Sequence, residues 1–137
     1  MLVGIFYLIK LHKNYILTKN FGVEIMHEAT LAEGILKIAL DIAKQNNSKK
    51  ISAVGLKIGE LAGVEIEALR MSYKILTKNT VAENSELKIN RVPCIAQCNK
   101  CKKIFQLENY NFFCPECDGI LILQSGRELL VEFVDCE

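Results

Sequence analysis

The sequence predicts an α+β protein, two helices on a three-stranded sheet with a small ribbon-like part appended. Three observations carry that reading. Apolar residues recur at helical spacing in two stretches, around Leu31 to Ile42 and Ile66 to Leu76. Apolar residues alternate at Val54, Leu56 and Ile58 and at Leu87 and Ile89, as in half-buried strands. Between the second of these and the C-terminus stand Cys98-Asn-Lys-Cys101, a twelve-residue spacer, and Cys114-Pro-Glu-Cys117. Two CxxC pairs at that separation can place four thiolates at the corners of one tetrahedron, the arrangement of a closed structural zinc site. The appended part is therefore expected to be zinc-ribbon-like, although rubredoxin-type iron uses the same ligand set. Two disulfides would offer a third use of the cysteines, but a chain this long and rich in core residues does not need them to fold.

In chain order, residues 1–25 show no helical stripe or alternation that would pair with later elements. They read as a leader from a mis-assigned start, with Met26 as the true first residue. Gly22-Val23 can be encoded with a GGAG stretch just upstream of the Met26 codon, where a bacterial-type ribosome-binding site belongs. The apolar run from Met1 to Ile9 is broken by Lys10, His12 and Lys13. It falls short of the about 20 residues a spanning helix needs, and its charges follow rather than precede it as in a secretory signal.

Val23 to Glu28 has extended character and is read as a first strand. Thr30-Leu-Ala-Glu33 has the spacing of a capping box, so a helix should start there. Leu31, Ile35, Ile38 and Ile42 form its apolar stripe, and Gln45-Asn-Asn-Ser48 ends it. A strand is expected from Ile51 to Glu60, a turn at Leu61-Ala-Gly63, a second helix from Glu65 to Lys78 and a strand ending at Pro93. The cysteine segment has few periodic apolar residues, so metal must hold it. Ile120 to Leu123 and Glu128 to Val134 read as strands joined by a hairpin turn at Gln124-Ser-Gly-Arg127. The domains expected are thus a leader at 1–25, an α/β domain from 26–92 and 124–137, and a metal-binding domain at 93–123.

Composition narrows the function classes. With 50% apolar and 24% charged residues, the chain is too apolar for disorder and too evenly charged for a membrane protein. A net charge of +1 gives no electrostatic argument for nucleic acid, and the lack of Trp with few other aromatics weakens a base-stacking reading. Thiols in metal-type spacing need a reducing compartment, which points to the cytoplasm. Catalysis is excluded on two grounds. Four protein thiolates leave no open position for substrate, and no nucleophile set can be built with a single histidine outside the leader.

Of the two histidines, His12 lies in the leader and reads as solvated, whereas His27 directly precedes the first helix. If translation begins at Met26, the terminal amine, an intervening amide nitrogen and the His27 imidazole could ligate one metal in a plane. Square-planar nitrogen ligation suits Ni²⁺ or Cu²⁺. Such a site is shallow, as suits a protein that hands its metal over.

Taken together, Met26-His27-Glu28 before a helix, Leu56-Lys-Ile-Gly-Glu-Leu-Ala-Gly-Val-Glu-Ile-Glu-Ala-Leu-Arg70, the two CxxC pairs and Ser125-Gly-Arg-Glu-Leu129 closely resemble the HypA family. These are nickel-insertion accessory proteins of [NiFe]-hydrogenase maturation, and the resemblance covers residues 26–137. It implies a small nickel-binding domain beside the zinc-ribbon-like domain. It implies structural zinc on Cys98, Cys101, Cys114 and Cys117, and transient nickel centred on His27 with backbone nitrogen of His27 and Glu28. Glu65 stands where some members carry an acidic residue near nickel. The implied partners are a GTPase and the hydrogenase large subunit, with urease maturation proteins in some members and homodimers compatible with the pattern. Neither nucleic acid nor membrane is expected as a partner. Cys94 and Cys136 read as small, partly buried hydrophobes. The alternative is a zinc-ribbon module that binds nucleic acid or protein through Lys100, Lys102 and Lys103, which Glu108, Glu116 and Asp118 offset.

Overall fold

The computed structural model describes residues 28–108 and 111–137, together with the backbone of Ile5–Phe6. The order is β1 (Ile5–Phe6), α1 (Glu28–Gln45), β2 (Ile51–Gly59), a 3₁₀ turn (Glu60–Ala62), α2 (Ile66–Leu76), β3 (Glu86–Val92), β4 (Ile95–Cys98), β5 (Ile104–Gln106), β6 (Leu121–Ser125) and β7 (Leu129–Cys136). The strands form two sheets, one in the order β1-β7-β2-β3 and the other β5-β4-β6. The chain divides into two units. One holds the described residues up to Lys57 with Val64–Asn90 and Leu130–Glu137; the other holds Ile58–Gly63 and Arg91–Leu129.

In the first unit, α1 buries Leu31, Ala32, Ile35, Ala39, Ile42 and Ala43 on one stripe and packs against α2, which buries Leu69 and Tyr73. Helix α1 begins at Glu28, two residues before the expected cap, so Thr30 lies inside the first turn rather than capping it. Glu28 is helical and not part of a strand; the rest of the expected first strand lies outside the described residues. The helix stops at Asn47, which takes a left-handed φ of 54°. There Ser48 N–H donates to Ala43 O and Asn47 N–H to Lys44 O, the paired bonds of a Schellman end.

Strand β2 lies between β7 and β3 and is buried on both faces, not on one as its alternation suggests. Gly55 explains this: a Cβ there would fall inside the ring of Phe133, so the missing side chain is the space the aromatic fills. Strand β1 adds a short edge, with Ile5 opposite Cys136 and Phe6 opposite Asp135. Edge pairing runs through the backbone and needs no side-chain alternation, which is why no residue pattern marks it.

The expected hairpin between the last two strands does not form. Strand β6 pairs with β4 in the second sheet, whereas β7 enters the first. Gln124 to Arg127 therefore joins two sheets. The cysteine-bearing unit also extends beyond 93–123, because Gly59 N–H donates to Glu128 O and Leu61 N–H to Gly126 O, both at 2.7 Å. It has a small core of its own in Ala96, Cys98, Cys114 and Leu121, flanked by Phe105, Leu107 and Phe112.

Candidate metal centre

The first knuckle grows from the end of β4. Cys98 ends the strand, Lys102 N–H returns to Cys98 O at 3.2 Å, and Cys98 N–H donates to Lys103 O at 2.9 Å. Closing so tight a loop requires a left-handed residue, supplied by Lys102 at φ 64°. The second knuckle closes when Cys114 N–H donates to Gly119 O at 3.0 Å. A Cβ on Gly119 would stand 2.9 Å from Asn99 Oδ1 and 3.2 Å from Cys117 Sγ, so glycine lets the two knuckles approach. Asn99 Oδ1 joins them by accepting from Ile120 N–H at 2.9 Å. On the rim, Lys100 pairs with Asp118 and Lys103 with Glu116.

This geometry gathers Cys98, Cys101, Cys114 and Cys117, with all four sulfurs within 4.8 Å of one another. Cys98 and Cys117 sulfurs are 3.4 Å apart, and those of Cys101 and Cys114 3.8 Å. A tetrahedron with metal–sulfur bonds of about 2.3 Å has edges of about 3.8 Å, so the donor set fits a four-coordinate ion. No cysteine is in a disulfide. Amides support the sulfurs, with Lys100 N–H on Cys98 Sγ at 3.4 Å and Gly119 N–H on Cys117 Sγ at 3.2 Å.

Electrostatics point the same way. Burial opposes the Cys98 thiolate, but amides of Cys101 and Lys100 and the thiols of Cys117 and Cys101 bring it down to about 6. The Gly119 amide favours the Cys117 thiolate, yet the Cys98 sulfur, burial and the other two sulfurs push it up to about 12. The Cys117 thiol thus resists ionisation until a cation offsets the repulsion of its neighbours.

The other site residues lie in the first unit. His27, like His12, is outside the described residues. Glu28 and Glu65, 37 positions apart, are brought together: the Glu65 N–H donates to Glu28 Oε1 at 3.2 Å. Glu65 is also the N-cap of α2, its Oε1 accepting from Glu67 N–H at 3.0 Å. Replacing Glu65 with alanine should therefore cost about 1 kcal/mol, measurable by urea denaturation. An unchanged midpoint would show that the cap contributes nothing. Cys94 and Cys136 are both buried, and burial raises both thiols, as their reading as small hydrophobes implies. Sequence reasoning missed Glu60 and Glu128, whose carboxylates accept from Cys94 N–H and from the Gly126 and Arg127 amides. Single carboxylates beside a turn carry no spacing signal that would have marked them.

A two-helix α+β unit joined to a closed four-thiolate ribbon defines a metal-binding protein whose built site offers no place for substrate. A family model described as "Hydrogenase/urease nickel incorporation, metallochaperone, hypA" matches residues 26–136, and the chain belongs to the HypA family. It is a nickel metallochaperone of hydrogenase maturation and not an enzyme. The hydrogenase maturation factor HypA of Caldanaerobacter subterraneus subsp. tengcongensis is 36% identical over 82% of this chain and all of its own length. That of Azoarcus sp. is 38% identical over 74% of this chain and 89% of its own. Among solved structures, the nickel metallochaperone HypA of Helicobacter pylori has a TM-score of 0.55 at 19% identity, covering 81% of this chain and 97% of that one. A second HypA solution structure has a TM-score of 0.62 at 20% identity, covering 83% and 98%. These two likenesses bear on the fold.

Proposed function

We propose that the chain holds structural zinc on Cys98, Cys101, Cys114 and Cys117 and carries Ni²⁺ as cargo at His27. Backbone nitrogen of His27 and Glu28 completes the nickel site, and the Glu65 carboxylate stands beside it. The observation that carries the nickel reading is the bond from Glu65 N–H to Glu28 Oε1, which brings Glu65 to the residue following His27. The match to the family also begins at Met26. For the ribbon, thiolate donors and closed four-coordination select zinc over harder ions. Zinc there supplies cross-linking rather than chemistry. The four sulfurs hold the knuckles, and the amides of Lys100 and Gly119 orient two of them.

In this reading the recipient is the hydrogenase large subunit, a GTPase assists, and maturation proteins of urease are further partners. The site of action is the cytoplasm. No helix among the described residues is long and apolar enough to cross a membrane.

The test is a Ni²⁺ titration of the chain beginning at Met26, beside its His27→Ala variant and the full-length chain. Affinity should fall at least tenfold in the variant, and also in the full-length chain, where no free amine adjoins His27. Undiminished affinity in the variant would remove His27 as the anchor. Acid gives a second check. Imidazole binds metal only when neutral and its reference pKa is about 6.5, so nickel should leave as pH falls below that range. Equilibrium dialysis between pH 8 and pH 5 reads the loss, and nickel retained at the acid end would assign it to other ligands.

A further inference from the structure

We propose that the outer face of the β5-β4-β6 sheet, with the free edge of β5, is a docking surface for an extended apolar segment of a partner protein. The proposal stands on the cysteine-bearing unit alone and is independent of the nickel site.

Register places the relevant side chains. Ile104 on β5 and Ile122 on β6 both lie opposite Gln97 of β4, so the three form one row across the sheet. Ala96, Cys98 and Leu121 point to the buried side, which puts Gln97 and Ile122 on the other. Ile120 is two residues from Ile122 and bridges to Phe113, continuing the row at one end. Ile104, Phe113, Ile120 and Ile122 are 67%, 72%, 51% and 52% exposed. Such a contiguous set of large apolar side chains marks an interaction site on a protein this small.

Backbone parity adds a second element. Cys98 pairs with Lys103, and Cys94 with Leu107, by bonds that run towards β4. In an antiparallel ladder the intervening partners alternate, so the N–H and C=O groups of Ile104 and Gln106 face away from β4. Among the described residues, strand β5 is the last of its sheet, and those groups form an open ladder next to the exposed Ile104.

Area and charge select the occupant. The four side chains offer on the order of 400 Å² of apolar surface, about half of the roughly 800 Å² per partner that a stable dimer needs. That is too little for a permanent second copy and enough for one added strand. Two rim cations are already paired, Lys100 with Asp118 and Lys103 with Glu116, and Lys102 adds a single exposed charge, so the rim offers a charged ligand little complement. An extended segment would donate and accept along β5 and lay alternate apolar side chains over Ile104 and Ile122.

The test uses the zinc-loaded full chain, ¹⁵N-labelled and titrated with a capped eight-residue peptide of alternating valine and threonine flanked by lysines. Amide shifts and slowed hydrogen exchange are expected at Ile104 and Gln106. The variants Gln106→Pro, which removes an outward donor, and Ile122→Glu, which charges the face, should each weaken binding at least tenfold. Retained zinc and unchanged core amide shifts would show that both variants fold. Binding that persists in both variants, or no change at Ile104 and Gln106, would overturn the proposal. So would concentration-dependent self-association of the free chain abolished by Ile122→Glu, because the face would then belong to a second copy.

Discussion

Serine at Cys114 is expected to empty the four-thiolate site and unfold the cysteine-bearing unit while α1 and α2 remain folded. Cys98 and Cys114 are at once candidate ligands and two members of the small buried cluster at the knuckles, beside Ala96 and Leu121. Without the ion, the remaining apolar contacts have little to hold together. Binding free energy at structural zinc sites is on the order of 10–16 kcal/mol and counts as folding free energy. That is comparable with the whole stability of a typical domain, about 5–15 kcal/mol, so losing a ligand should be decisive for this unit. The helices lie in the other unit and bury their own stripe. Metal analysis and amide dispersion check the outcome separately from far-UV circular dichroism. A metal-free variant with native-like dispersion over 95–125 would refute the dependence.

Alanine at Gly59 is the second large effect. Its Cβ would lie inside the carbonyl group of Gly126 and only 2.6 Å from Arg127 N. Neither side can retreat. Gly59 and Leu61 are tied to Glu128 O and Gly126 O, and the Glu128 carboxylate holds the Gly126 and Arg127 amides at 2.8 and 3.0 Å. Behind Gly126, which has φ 120°, a Cβ would meet Cys94 Cα at 2.9 Å. Two backbones in contact leave no flexible side chain to absorb the methyl, so a cost of about 3 kcal/mol or more is expected. Gly63→Ala is the control. Its φ is +69° but nothing lies within 4 Å, so only backbone strain of about 1–2 kcal/mol applies. Urea denaturation of both variants reads the contrast, and equal costs would contradict the close-approach account.

How much was legible depends on what each signal measures. The stripes of α1 and α2 were readable because helical spacing is a local property and both stripes are buried where the period places them. The cysteine set was readable because a two-residue gap fixes each knuckle and only the distance between knuckles is left to the fold. Strands β4 and β5 were not read, since Ile95–Cys98 and Ile104–Gln106 are too short to show alternation. The hairpin at Gln124-Ser-Gly-Arg127 was misread for another reason. Turn chemistry tells where a chain bends, and it does not tell which strand each arm will meet. Glu28 and Glu65 were each singled out, but their contact follows from α1 and α2 packing together, which no local pattern encodes.

The sequence by itself determined the α+β class, the two helices, the four thiolates and the family, because all of these rest on short-range spacing or on motifs in fixed order. Only the tertiary structure decided that β6 and β7 part into different sheets and that Gly59 and Gly126 touch. It alone put Glu65 against Glu28 and left four large apolar side chains on one face of the ribbon. The physical reason is common to these cases. They depend on which distant backbones share hydrogen bonds, and that choice is made by burial and register across the whole chain rather than by any neighbouring residues.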